Sequence, residues 1–351
     1  MHQPIPEYNP SGVGQANGNL FGLPCDRDSA NLIVFAVPWE VTVSYGAGTA
    51  NGPQQILNAS PQLDLFDFDN SDGWKQGIFM QEISSDILEK NTYYRAQAAK
   101  IIQRLESGQS LVEIPDLTPV LNEINQACAN VNNWLFQQCQ QAMNSGKQVA
   151  VIGGDHSSPL GLFQAQAEKY ASLGSDFGIL HIDAHADLRD AYEGFEFSHA
   201  SIMFNAMKIP QISKLVQIGL RDICQEEVDI INNSNSRIVA YYDTKIKQEM
   251  YSGKTWLDLC REIIQHLPEY VHISFDVDGL DPKLCPNTGT PVPGGLELEQ
   301  SFCLFRELVN SDRKIIGFDL CEVGDAEWDG NVGARIVLKL ANLMNLSNKI
   351  Q

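Results

Sequence analysis

Apolar runs that never alternate with polar residues are the feature of this chain that most restricts its fold. Asn31-Leu-Ile-Val-Phe-Ala-Val-Pro38 is the first, and Gln148-Val-Ala-Val-Ile-Gly153 repeats the pattern; further runs lie at 179–183, 214–218, 237–240, 271–275 and 314–319. A strand with one wet face alternates, whereas a strand without alternation is covered on both sides, as in a parallel sheet between two helical layers. Helical segments intervene near 92–106, 225–232, 255–266, 298–309 and 332–345. Another starts at Thr118-Pro119, a hydroxyl cap followed by proline at the first helical position. It carries Leu121, Ile124, Cys128, Val131 and Leu135 on one stripe and stops at Gly146. Strand and helix alternate throughout, so the expected fold class is α/β, with one mostly parallel sheet covered on both faces. Residues 1–30, rich in Gly, Pro, Asn and Asp, read as an irregular N-terminal arm, and residues 31–351 as a single domain.

Composition enters mainly by exclusion. The 351 residues include 44 acidic and 24 basic side chains, a net charge of −20. Such a surface disfavours nucleic acid or an anionic membrane as partner and leans toward a cationic substrate. The eight cysteines are scattered without a C-x-x-C pair, as expected of reduced thiols in a cytoplasmic protein. The N-terminus shows no secretory signal pattern, and no apolar run is long enough for a membrane-spanning helix.

Three of the expected strands end in polar clusters, and in such a sheet ligands gather beyond the carboxyl ends of the strands. The central cluster is Leu180-His-Ile-Asp-Ala-His-Ala-Asp187. If the strand continues, its period of two sends Asp183, His185 and Asp187 to one side. An Asp-rich turn capping the next helix would contain the same residues. Gly153-Gly-Asp-His156-Ser ends an earlier strand, and Ser274-Phe-Asp276-Val-Asp278-Gly-Leu-Asp-Pro282 a later one. If His156, Asp183, His185, Asp187, Asp276 and Asp278 converge, four carboxylates meet with Arg189 the one basic residue nearby. Burying that much like charge unpaired costs several kcal/mol per group. Two divalent ions would balance it, and carboxylate and imidazole are natural ligands for manganese, with nickel, cobalt or iron tolerated.

With those motifs in view, the sequence resembles the ureohydrolase family, which contains the arginases and agmatinases. The resemblance rests on the segments 153–157, 183–187 and 274–282 and extends over roughly residues 30–345. It implies the arginase-type three-layer sandwich with a sheet of about eight strands, and two divalent ions, manganese as the family default. By position, His156, Asp183, Asp187 and Asp276 would hold one ion, and Asp183, His185, Asp276 and Asp278 the other. Asp183 and Asp276 would bridge, and the ions would lower the pKa of a water held between them. Asp187 would also orient that water. The same resemblance assigns His199 as proton shuttle to the leaving amine and Glu322 as partner of the substrate guanidinium, with Thr290 lining the pocket. It further implies a homo-oligomer, trimeric or hexameric.

The substrate is expected to be a small cationic guanidino compound that loses urea. From Leu188 to His199 the chain resembles the agmatinase branch, not the arginases. It departs from ordinary agmatinases at Glu40, where Asp is commoner, and at Gly324-Asp325, where Asn-Pro is usual. Trp328, close after Glu322, would shorten the pocket. These departures resemble the guanidine hydrolase subgroup, often nickel-dependent, so the expected reaction is guanidine to urea and ammonia. Agmatine is the alternative substrate, arginine is disfavoured, and a non-catalytic guanidinium sensor would need the same residues to bind without turnover.

Overall fold

The computed structural model describes residues 8–349; residues 1–7 of the expected arm, and residues 350–351, lie outside the described residues. Eight strands form one sheet: β1 (Leu32–Val37), β2 (Ile78–Met80), β3 (Gln148–Gly153), β4 (Phe177–Ile182), β5 (Ile212–Leu220), β6 (Ile238–Tyr242), β7 (Tyr270–Asp276) and β8 (Lys314–Cys321). Their order is β2-β1-β3-β8-β7-β4-β5-β6, and every pairing is parallel. The connecting helices are α1 (Gly52–Ala59), α2 (Ser85–Glu106), α3 (Thr118–Asn144), α4 (Leu160–Ser172) and α5 (Ile202–Ala206). The remainder are α6 (Gln225–Asn232), α7 (Asp243–Tyr251), α8 (Trp256–Gln265), α9 (Leu298–Asn310) and α10 (Glu327–Lys349).

The uniform apolar runs are explained by burial on both faces. Every residue of β1 and of β4 is buried. Along β4, Leu180 and Ile182 join one hydrophobic core, while Phe177 and Ile179 join the second. The alternation is in direction, with no difference in polarity to reveal it. The α/β three-layer expectation therefore holds.

Four differences of detail have local causes. Strand β2 has only three residues and no patterned run to announce it. Helix α2 begins at Ser85, because the Ser84 side chain accepts from the Ile87 amide and caps a first turn placed above at residue 92. Thr118 is itself the first residue of α3, and the preceding Leu117 supplies no side-chain cap. Helix α10 starts at Glu327, upstream of the expected 332, which takes Trp328 into a helix.

The lead-in is irregular apart from a short turn at Leu20–Gly22, and Leu20, Phe21 and Leu23 are buried in the larger core. Asn19 ties it to β2, donating to Ile78 O (2.9 Å) and accepting from the Met80 amide (2.9 Å). No helix among the described residues is long and apolar enough to cross a membrane.

Candidate metal centre and pocket

The four central strands, in the order β3-β8-β7-β4, end side by side, and each delivers one cluster. After β3, the backbone at Gly154 passes so close to Trp39 that a Cβ would lie 2.2 Å from the Trp39 carbonyl oxygen. Only glycine fits there, and the tight passage brings His156 over the sheet edge. After β8, Glu322 adopts φ 64°, left-handed backbone for a non-glycine residue, and its amide donates to Gly154 O (2.8 Å). Asp187 is also left-handed, at φ 54°. Strained backbone of this kind is held by its surroundings and collects where a side chain must be aimed.

The β4 strand ends at Ile182, so the expected continuation of the period of two through Asp187 does not occur. A loop with left-handed backbone brings Asp187 back. The six expected ligands nevertheless meet. His156 Nδ1 lies 3.1 Å from Asp183 Oδ2, 3.2 Å from Asp187 Oδ2 and 3.3 Å from Asp276 Oδ2. His185 Nδ1 lies 3.4 Å from Asp183 Oδ1 and 3.0 Å from Asp278 Oδ2. There are thus two foci, one around each imidazole, and Asp183 gives one oxygen to each. Asp276 faces the first focus with Oδ2, while its Oδ1 accepts from the Asp278 amide (2.8 Å).

The electrostatics follow from crowding. Asp183, Asp187, Asp276 and Asp278 are all buried, and among the described residues no Lys or Arg side chain pairs with their carboxylates. Burial, with Asp278 and Asp183 adding to it, pushes the Asp276 carboxyl well above its usual range. Burial and Asp183 push Asp187 up to about 6. Burial also opposes ionisation of Asp183, but the imidazoles of His181, His156 and His185 outweigh it and hold that carboxyl well below the usual range. Hard oxygen donors in excess, two imidazoles and no competing cationic side chain form a set that fits two divalent ions.

Above the foci lies a cavity of about 170 Å³, lined among others by His185, Asp187, His199, Thr290 and Glu322. Glu322 Oε1 accepts from the His156 amide (3.0 Å), and the buried Oε2 has no partner. Burial, with Asp155 and Asp278 adding repulsion, raises the Glu322 carboxyl well above the ordinary value. Gly289 runs beside it, where a Cβ would sit 3.0 Å from Oε2. Thr290 donates to Asp278 Oδ2 (3.2 Å). His199 packs against Thr42, its amide donating to the Thr42 hydroxyl (3.1 Å). Burial and the nearby His185 charge lower the His199 imidazole to about 4, so it is neutral at neutral pH.

Trp328 is not brought to the pocket. It lies on the first turn of α10, 56% exposed, with its indole nitrogen 3.4 Å from Lys283 O, and it is absent from the cavity lining. The early start of α10 turns it outward. The Gly324-Asp325 departure has a packing role instead. A Cβ at Gly324 would meet Asn287 O at 2.1 Å, and Asp325 accepts from Asn51 and Gln55 beside α1. Glu40 anchors the loop that brings Ser44 to the cavity, its Oε2 accepting from the Gly48 amide (2.7 Å), Thr49 Oγ1 (3.1 Å) and the Ala50 amide (3.2 Å).

Several residues of the site were given no role by the sequence reasoning. Arg189 and Tyr192 line the outer cavity, the guanidinium 4.8 Å above the ring, and Tyr192 meets His199 edge-on at 6.3 Å. Beneath the ligands, His156 Nε2 lies 2.9 Å from Ser274 Oγ, which donates to Asp319 Oδ1 (3.0 Å). His181 and Ser274 each sit two residues before an expected carboxylate ligand, and the strand period was a usable signal for both. Nothing in the sequence singled out Thr42.

Glu193, next to Tyr192 in a short turn, has φ 55° and a buried Oε2 without a partner. Burial and Glu106 push its carboxyl up to about 7, against the pull of Arg95. A carboxyl whose folded value is raised costs stability as pH climbs from the unfolded value of 4.5 through about 7. Glu193→Gln is therefore expected to leave Tm unchanged near pH 5 and to raise it near pH 8. Thermal unfolding at the two pH values checks this, and an equal Tm at both would refute the desolvated carboxylate.

The fold and site define a metal-dependent hydrolase built on a parallel sheet. The family model described as the arginase family matches residues 30–342. N(1)-aminopropylagmatine ureohydrolase from Thermus thermophilus is 29% identical, with 84% of this chain and 83% of that protein covered. The enzyme of the same name from Synechocystis is 27% identical over 84% of this chain and 81% of its own. A crystal structure of a hypothetical agmatinase from Burkholderia thailandensis superposes with a TM-score of 0.70 at 20% identity, covering 97% of this chain and 96% of that one, and supports the fold. The chain belongs to the arginase family, and with it to the metal-dependent ureohydrolases.

Proposed function

We propose that the protein hydrolyses free guanidine to urea and ammonia. The observation that carries this reading is the carboxylate inventory of the cavity. Apart from the ligands, its buried carboxylates are Glu322 and Glu227, and Glu227 is already committed, Oε1 to the Leu188 amide (3.0 Å) and Oε2 to the Cys224 amide (3.1 Å). Glu322 Oε2 alone is free, which suits one guanidinium. A second cationic group, such as the ammonium of agmatine, would meet the Arg189 guanidinium and the solvent-exposed carboxylate of Asp222.

His156, Asp183, Asp187 and Asp276 would hold one ion, and Asp183, His185 and Asp278 the other, with Asp276 completing the second. Two divalent ions, when bound, make water nucleophilic near neutral pH and stabilise developing negative charge. Glu322 would pair with the guanidinium nitrogens and fix the carbon above the foci. Asp187 would accept a hydrogen bond from the attacking water and aim it. His199, held neutral, would take a proton and pass it to the leaving nitrogen as the C–N bond breaks. Thr290 steadies Asp278. Manganese suits the oxygen-rich set and nickel is expected with guanidine. A homo-oligomer in the cytoplasm is the accompanying expectation.

Agmatine is the second reading, favoured by the solvent-exposed Asp222 at the rim and by the names of the relatives. Urea release from guanidine, agmatine and arginine, measured on protein loaded with manganese or nickel, separates the two. The guanidine reading requires the highest kcat/KM on guanidine and none of it lost in Asp222→Asn. A higher value on agmatine would overturn it.

A further inference from the structure

We propose that Arg221 is a positioning residue for the His185 half of the metal centre, setting the affinity for one of the two ions without binding either. The inference rests on the metal-holding roles given above to His185 and Asp278.

Arg221 is the first residue after β5. A register shift between Ile218 and Leu220, at Gly219 with φ 98°, comes just before it, and a bulge of this kind re-aims the chain that follows. The Arg221 amide donates to Ala184 O (2.8 Å), while the Ala184 amide donates to Asp278 Oδ1 (3.0 Å). The residue between Asp183 and His185 is thus held from both sides.

The guanidinium is spent on main-chain carbonyls. Nη2 donates to Asp278 O (2.5 Å), Leu280 O (3.1 Å) and Val292 O (2.9 Å), and Nε also reaches Val292 O (3.2 Å). Nη1 donates to Gly219 O (3.0 Å) and Gly279 O (3.4 Å). A guanidinium carries its donors in a rigid plane, so it can hold separated carbonyls in one arrangement, which a single ammonium cannot.

Joining Asp278–Leu280 to Val292 closes the base of the loop between them. That loop carries Thr290, whose hydroxyl donates to Asp278 Oδ2, and the same oxygen lies 3.0 Å from His185 Nδ1. The carbonyl of Asp278 and the loop that steadies its carboxylate both depend on Arg221. His156, Asp187 and Asp276 supply none of these contacts. The positive charge of Arg221 would repel an ion at either focus, so any affinity it adds comes from the geometry it imposes. Partners behind metal ligands typically govern affinity by about 10–100-fold.

The test is calorimetric titration of metal-stripped protein with Mn²⁺, with the Tm of each stripped variant measured alongside. R221M is expected to bind one ion as wild type does and the second about 10–100-fold more weakly. R221K keeps the charge but offers one nitrogen, and should show the same selective loss. In an H185A background, which already lacks the second imidazole, R221M should not change the affinity for the ion that remains. Equal weakening of both ions, or a further loss in the H185A background, would make Arg221 a general brace of the fold and overturn the inference. Wild-type or tighter binding of both ions in R221M would do the same, as would failure of both R221M and R221K to fold. Wild-type protein that takes up no divalent ion would overturn the metal reading itself, an outcome distinct from all of these.

Discussion

Glu322→Gln is expected to retain its full complement of metal ions and lose about 10²–10³-fold in kcat/KM, the range for removing one member of a buried, hydrogen-bonded charge pair. The substitution keeps shape and volume, and the backbone strain at φ 64° is unchanged. An amide oxygen can still accept from the His156 amide, so the neighbouring ligand should stay in place. What disappears is the negative charge at the unpartnered Oε2, which the proposed mechanism uses to hold the guanidinium. Stability should not suffer, because the side chain being neutralised is a carboxyl that burial and its acidic neighbours already disfavour as an anion. Metal content and Tm like those of wild type, combined with near-absent urea release, would be the expected signature. Activity within threefold of wild type would remove Glu322 from substrate binding.

Asp183→Ala should act through a different quantity. Because this carboxylate faces both imidazoles, its loss damages both foci together. Metal content should fall from two ions per chain, and urea release by about 10³-fold or more, the several kcal/mol that metal activation supplies. The Tm of wild type should rise on adding Mn²⁺, since a ligand that binds only the folded chain stabilises it, and the rise should be absent or much reduced in the variant. Two ions retained at wild-type affinity would sink the shared role of Asp183.

The convergence of the six expected ligands was legible in the sequence because each follows a run that had to be a buried strand. Position after such a run, together with the charge that six polar residues would concentrate, was enough to expect them in one place. Asp187 was expected for a partly mistaken reason. Strand periodicity does not carry to it, and left-handed backbone does, which no propensity would suggest for Asp in that context. Trp328 shows the opposite failure. Nearness in sequence to Glu322 implied nearness in the pocket, but the helix start at Glu327 decided the direction of the side chain. Thr42 is 113 residues from Asp155 and 157 from His199, and contacts of that range have no local pattern to read. The short edge strand β2 was invisible because three residues cannot display a period.

The position of β8 has a consequence for how the chain is made. Its neighbours in the sheet, β3 and β7, both precede it in sequence, so one of the two middle strands of the sheet is the last strand to leave the ribosome. Until residues 314–321 emerge, β2-β1-β3 and β7-β4-β5-β6 are two unjoined ribbons, and β3 and β7 present bare edges of the kind that pair with other chains. Insertion of β8 joins the ribbons and brings His156 to the carboxylates from β4 and β7. Metal uptake at full affinity should thus mark a finished chain, and a stall before residue 314 should leave a nascent protein that aggregates and holds no ion.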